Sequence, residues 1–363
     1  MKRWLLFIIV VVTAAVVPAV FAQSDGPAVV LVTLDGARTE EIFGGLDAAI
    51  VASQLKAGQR LEDQPIYNRF WAPTPEERRM KLMPFFWGTL MRDQGSIAGN
   101  PARGSRVHIT NGHAFSYPGY SEMLVGRAHD DTIKSNDPIR NPYPTALEFL
   151  KERLALSKEQ VAVFTSWIIH RTIVEHREGA LTVNAGYSGF ESPIGDVARL
   201  SALQFETQTP WNDVRHDAYT FRFAMDHLQR HKPRVLYLAL GETDDWAHDG
   251  RYDRVLEAFA RSDDYLKQMW TWLQSQPEYR GKTHMLITTD HGRGRTPADW
   301  KNHGKDVAGA SETWMAFVSP SMSRRGEWSA HPPLVTAQVA ATVIGWMGGE
   351  WLRFDPAAAP PVQ

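Results

Sequence analysis

VVLVTLD, residues 29–35, reads as a buried β-strand that delivers an acid at its end. A short apolar, β-branched run with no polar alternation is the pattern of a strand covered on both faces. Two later stretches repeat the arrangement. VLYLALGETDDWAH, residues 235–248, places Asp244 and His248 just past an apolar run, and MLITTDH, residues 285–291, ends on Asp290 and His291. His303 follows in DWKNHGKD, residues 299–306. In open α/β sheets, ligands bind in the crevice outside the carboxyl ends of the strands. Three carboxylates and three imidazoles gathered there would leave buried charge uncompensated unless cations sat among them. A pair of divalent metals meets that need.

Working outward, the candidate strands are Ala28–Leu34, Val161–Phe164, Val235–Leu240, Met285–Thr289 and Trp314–Val318. Helical spacing lies between them, at Thr145–Leu156, Tyr219–Arg230 and Arg254–Gln274. The short apolar stretch Leu334 to Met347, which carries Thr336, Gln338 and Thr342, reads as a C-terminal packing helix and not a span. Alternating strands and helices predict an α/β fold, with a mainly parallel central sheet covered by helices on both faces. No Pro-, Gly- or Ser-rich linker divides residues 23–363, so a single catalytic domain is expected. Residues 47–110 and 174–218 read as insertions forming loops or a small cap over the active face. The first contains a capping box with proline in the first turn, Thr74-Pro75-Glu76-Glu77.

The chain has 363 residues, 43% of them hydrophobic and 22% charged, which is ample for a core. A net charge of -2 provides no basic field for nucleic acid. Lys2 and Arg3, the apolar run Trp4–Val17 and the small residues of Val20-Phe21-Ala22 predict a signal peptide over residues 1–22. Cleavage after Ala22 would leave a periplasmic or secreted protein with no stable membrane anchor. Cysteine is absent, so any metal must be held by nitrogen and oxygen ligands.

Two metal sites follow from the spacing. Asp244 and His248 lie one helical turn apart and can face one ion together with His303. Asp35, Asp290 and His291 can form the other, if the strand has ended and the chain turns at His291-Gly292. A lone acid after a strand is most often a helix cap; the joint pattern is what points to metal. FSYPGYSEMLVGR, residues 115–127, adds a hydroxyl, with Ser116 just before Tyr117-Pro118-Gly119 and a helix expected from near Tyr120 to a C-cap at Gly126. A serine at a helix N-terminus suits a nucleophile that must meet an anion; the plainer reading is that Ser116 only caps the helix. Arg38, Arg103, Arg106, Arg127 and Lys134 could contact an anion, but as surface or structural residues they are assigned no role.

Together these residues resemble the alkaline phosphatase superfamily, in the expected order from Asp35 to His303. Within it, the chain is most similar to exported bacterial proteins of the nucleotide pyrophosphatase/phosphodiesterase type. FSYPGYSEMLVG is similar to their nucleophile segment, which puts the nucleophile at Ser116. The resemblance implies one metal at Asp35, Ser116, Asp290 and His291, and the other at Asp244, His248 and His303. It implies two divalent ions, usually Zn2+ with Mn2+ in the mutases, and a small-molecule phosphate ester, mono- or diester, cleaved through a phosphoseryl intermediate. It also implies an asparagine on the phosphoryl oxygen, best matched by Asn136 and less well by Asn111, with backbone N–H groups after Ser116 assisting. The alternatives are a phosphoglycerate-mutase-like or sulfatase-like member, or a non-catalytic metal- or anion-binding relative. Tyr120 stands where the sulfatase motif C/S-x-P-x-R carries arginine, which disfavours the sulfatase.

Overall fold

β1, residues Ala28–Leu34, lies in the middle of an eight-stranded sheet in a computed structural model that describes residues 26–363. The expected signal peptide lies outside the described residues. The other strands are β2 (Gly95–Ala98), β3 (Val161–Thr165), β4 (Thr182–Ala185), β5 (Val235–Leu240), β6 (Thr283–Thr288), β7 (Met315–Val318) and β8 (Gly326–Glu327). Their order across the sheet is β8-β2-β7-β6-β1-β5-β3-β4. β1 pairs in parallel with β5, Leu34 opposite Leu240, and with β6, Thr33 opposite Thr288. The carboxyl ends of these three central strands therefore align. β7 runs antiparallel to both β6 and β2.

The unbroken apolar run of β1 has its explanation in the two faces it serves. Val30, Val32 and Leu34 point into a core formed with Phe221, Phe223, Phe259 and Leu266 from the helices Asp217–His231 and Tyr252–Ser275. Val29 and Leu31 point the other way, to Tyr120, Met123, Leu150 and Val343 from Ser116–Val125, Ala146–Arg153 and Gln338–Trp346. Successive strand residues face opposite sides, so a strand buried on both has no position for a polar residue except where a partner exists. Thr33 finds one in the Tyr237 hydroxyl at 3.1 Å.

The expected α/β architecture with a mainly parallel sheet and helices on both faces holds. The two regions read as insertions also supply strands to the central sheet. Residues 47–110 contribute β2, and residues 174–218 contribute β4. Both strands are only four residues long and poor in large apolar side chains, GSIA and TVNA. Pairing to β7 and β3 defines them, and no local periodicity could. The capping box does form: Thr74 accepts the Glu77 N–H at 3.2 Å, and Glu77 accepts the Thr74 N–H at 3.1 Å. Among the described residues, no helix is long and apolar enough to cross a membrane.

Candidate metal centre

Asp35 directly follows β1, and its backbone N–H donates to Leu240 at the end of β5. It caps no helix: the next one, Thr39–Gly44, has Arg38 at its N-cap. Asp244 and His248 lie on the seven-residue helix Glu242–His248 that begins where β5 stops. Asp217 holds the start of that helix by accepting the Gly241 and Glu242 N–H groups at 2.8 and 3.2 Å. Asp290 and His291 follow the last residue of β6 by two and three positions, with the chain no longer extended in the sheet. Leaving the pleat is what lets neighbouring side chains turn to one side.

The six residues gather as two trios, Asp35/Asp290/His291 and Asp244/His248/His303, each with its ligand atoms within 4.8 Å of one another. The trios adjoin. His291 Nε2 lies 3.5 Å from Asp35 Oδ1, 3.4 Å from Asp290 Oδ2 and 3.9 Å from Asp244 Oδ1. The His291 and His303 rings stack with centroids 4.1 Å apart. His248 and His303 approach Nε2 to Nε2 at 3.0 Å, and His248 Nε2 is 3.1 Å from Asp244 Oδ2.

The donor set fits cations. Asp35 Oδ1 and Asp290 Oδ2 are buried oxygens with no hydrogen-bond partner, both facing His291. An orphaned buried carboxylate oxygen is costly, and a metal relieves it. His291 and His303 direct Nδ1 to backbone carbonyls, of Gly292 at 2.8 Å and Ala114 at 3.2 Å. That contact fixes the tautomer and leaves each Nε2 lone pair for a ligand. Burial pushes the Asp35 carboxyl up to about 7, and the neighbouring Asp290 adds to the effect; burial alone leads the rise of Asp290 to about 7. Burial also pulls His291, His248 and His303 below the ordinary imidazole range, keeping them neutral as ligation requires. Asp245, raised well above the carboxylate range by burial, lines the adjoining cavity but falls outside both trios.

Ser116 lies 3.3 Å from His291 Nε2, at the buried N-terminus of the helix Ser116–Val125. The helix begins at Ser116, four residues before the expected start at Tyr120, because Pro118 fits the first turn and removes only an N–H that would be unpaired there. Ser116 is not its cap: Phe115 holds that position, and no side chain caps it from there. Gly119 permits the docking, since a Cβ there would fall 2.3 Å from the Asp290 carbonyl oxygen. Asn136 stands at the same cavity and accepts the Tyr117 N–H through Oδ1 at 2.9 Å, so its Nδ2 is left for a ligand. This corrects the expectation that backbone N–H groups after Ser116 hold the phosphoryl group. The Tyr117 N–H is taken by Asn136, Pro118 has none, and the Gly119 N–H bonds to Phe115. Asn111 serves elsewhere, bound to Glu122 at 2.8 Å.

Several functional contacts were not visible in the sequence. The Tyr120 hydroxyl donates to Asp35 Oδ2 at 2.9 Å, and the Gly36 N–H donates to Asp290 Oδ1 at 3.1 Å. Arg293, 2% exposed, is bound to Asp244. The only sequence hint of Arg293 is its place in DHGR, two residues past His291. Of the cations considered above, Arg38 is buried on Glu41 and the Gly294 carbonyl, Arg103 pairs with Glu327 and Arg127 with Asp355.

The cavity over Ser116 has a volume of about 280 Å³ and is lined by Asp35, Asn136, Asp244, His248 and His303, with Trp167, Ile169 and Val214 as an apolar wall. No protein-family model matches the chain, and no curated protein matches it in sequence. Solved structures do match. Alkaline phosphatase PafA is similar with a TM-score of 0.58 at 10% identity, over 93% of this chain and 98% of that one. A phosphonate monoester hydrolase of Agrobacterium radiobacter matches at 0.53 and 10%, over 92% and 78%. The lipoteichoic acid synthase LtaP from Listeria monocytogenes matches at 0.53 and 9%, over 91% and 73%. The protein shares its fold with alkaline phosphatase PafA and these other structures.

Proposed function

We propose that the protein is an exported two-metal hydrolase of phosphate esters, with Ser116 as nucleophile. The observation that carries this reading is the Ser116 hydroxyl 3.3 Å from His291 Nε2, amid two adjoining trios of nitrogen and oxygen donors. Asp35, Asp290 and His291, with Ser116 Oγ, would hold one cation, and Asp244, His248 and His303 the other. Bound there, divalent ions supply Lewis acidity that favours the seryl alkoxide and offsets charge on the ester oxygens.

The steps then fall to the chain's own groups. Ser116 Oγ bonds to phosphorus as the bond to the alcohol oxygen breaks. The serine proton is lost and the alcohol leaves protonated. Water then attacks phosphorus, the bond to Ser116 breaks, and serine and phosphate are released. Asn136, which lines the same cavity and whose Oδ1 is taken by Tyr117, would steady a phosphoryl oxygen through its Nδ2. Trp167, Ile169 and Val214 offer an apolar wall to the alcohol portion. Tyr120 stands where the sulfatase motif carries arginine, and its hydroxyl is committed to Asp35, which favours phosphate over sulfate esters.

The test joins metal analysis with turnover of p-nitrophenyl phosphate, bis-p-nitrophenyl phosphate, a phosphonate ester and p-nitrophenyl sulfate. The expected result is bound divalent metal, hydrolysis of at least one phosphate ester, and a Ser116→Ala variant that keeps metal and loses turnover. Metal-loaded protein that cleaves none of the esters would instead mark a binding protein. Preference for the sulfate ester would overturn the substrate assignment.

A further inference from the structure

The two trios do not carry equal charge. The inner one has two carboxylates, Asp35 and Asp290, which are 5% and 0% exposed. The outer one has only Asp244, and Arg293 already occupies it. Arg293 Nη1 donates to Asp244 Oδ1. Its Nε donates to the Trp300 carbonyl at 3.2 Å and its Nη2 to the Lys301 carbonyl, so the guanidinium is held at three points. Gly36 leaves the room for this pair. It has φ +57, and a Cβ on it would sit 2.3 Å from Asp244 Oδ1 and 3.0 Å from Arg293 Nη1. By formal charge, with both carboxyls ionised as ligation requires and the imidazoles neutral, the inner trio carries two negative charges. The outer trio and the arginine bonded to it sum to none; Arg293 also acts on Asp35, but without a direct bond. The outer trio is also the open one, with the His248 side chain 45% exposed.

We infer that the outer site, Asp244, His248 and His303, takes its cation reversibly, and that the phosphate group of the substrate or product supplies the negative charge that Arg293 has cancelled. The inner site loads first and without help. Phosphate and the outer cation then raise each other's affinity, since coupling between two ligands is reciprocal. Arg293 is a positioning residue that sets this order: it touches Asp244, not the reacting atoms. The inference rests on the two-metal reading above.

The experiment measures zinc per chain and zinc affinity, by competition with a chelating indicator, in the mature protein with and without millimolar inorganic phosphate, with sulfate as the control anion. Wild type is expected to retain one zinc alone and two with phosphate. Arg293→Met is expected to hold the second zinc without phosphate, at least about tenfold more tightly than wild type, because a buried like charge nearby has been removed. Arg293→Lys, which keeps the charge, should follow wild type. Two zinc ions held equally by wild type whether or not phosphate is present would overturn the inference. So would a weaker outer site in Arg293→Met, which would make Arg293 a scaffold for Trp300 and Lys301 only. If Arg293→Met does not fold, the phosphate dependence of wild type and of Arg293→Lys decides. No zinc under any condition would overturn the two-metal reading itself, a result distinct from unequal sites failing to appear.

Discussion

Replacing Asp290 by asparagine should stabilise the metal-free protein at neutral pH while abolishing its response to metal. Asp35 and Asp290 are fully buried carboxyls held near 7, against 3.8 for an exposed aspartate. A raised carboxyl contributes stability that is fully present below the unfolded value and is lost as pH rises through the folded one. Between about pH 5.5 and pH 7.5, each such group removes about 2 kcal/mol from the metal-free fold. The two repel and titrate as a pair, so together they remove between about 2 and 4 kcal/mol. At about 2.1 cal/mol/K per residue for a chain of this length, that lowers the melting temperature by about 3–6 °C.

In Asp290→Asn, the Oδ1 that accepts the Gly36 N–H remains. An amide nitrogen replaces Oδ2, 3.4 Å from His291 Nε2, and can donate to it. The variant should therefore lose about half of the pH-dependent destabilisation. Zinc should raise the melting temperature of wild type, and more so at higher pH as the ligands deprotonate, but should leave Asp290→Asn unmoved. The assay is thermal unfolding of both proteins, chelated and zinc-loaded, across this pH range. Other buried acids, such as Asp217 near 7 and Asp263 near 6, also titrate, so the wild-type-minus-variant difference is the quantity to read. Equal pH slopes in the two metal-free proteins, or a wild type indifferent to zinc, would refute the reasoning.

Gly119→Ala should lower turnover by about 100-fold or more, because a Cβ 2.3 Å from the Asp290 carbonyl forces the Ser116 helix off its seat, and a displacement near 1 Å costs about that much; unchanged turnover in a folded variant would contradict it. Tyr120→Phe removes the donor to Asp35 and should weaken metal binding by about 10–100-fold with little loss of fold, as read by zinc titration. Activity should fall on the acid side as His248, His291 and His303 take up protons in competition with metal, and a flat rate profile from about pH 5 to pH 9 with chelator-resistant turnover would speak against metal ligation.

The short-range features of this protein were legible before any coordinates. A continuous apolar run names a strand buried on both faces, and the acid that ends it is delivered to the carboxyl edge of the sheet. Asp244 and His248 are one helical turn apart, so their convergence is local geometry. Asp35, Asp290 and His291 could be named because each sits just past such a run, and His303 because it completes the pattern in an HG step. Only the folded chain decided the rest. β2 and β4 exist because β7 and β3 pair with them, and four residues with one large apolar side chain carry no period of their own. The bond from Asn136 to Tyr117, the seat of Gly119 against Asp290 and the hold of Arg293 on Asp244 join positions 19, 171 and 49 residues apart. Such contacts depend on where whole strands and helices come to rest, and spacing along the chain does not encode that.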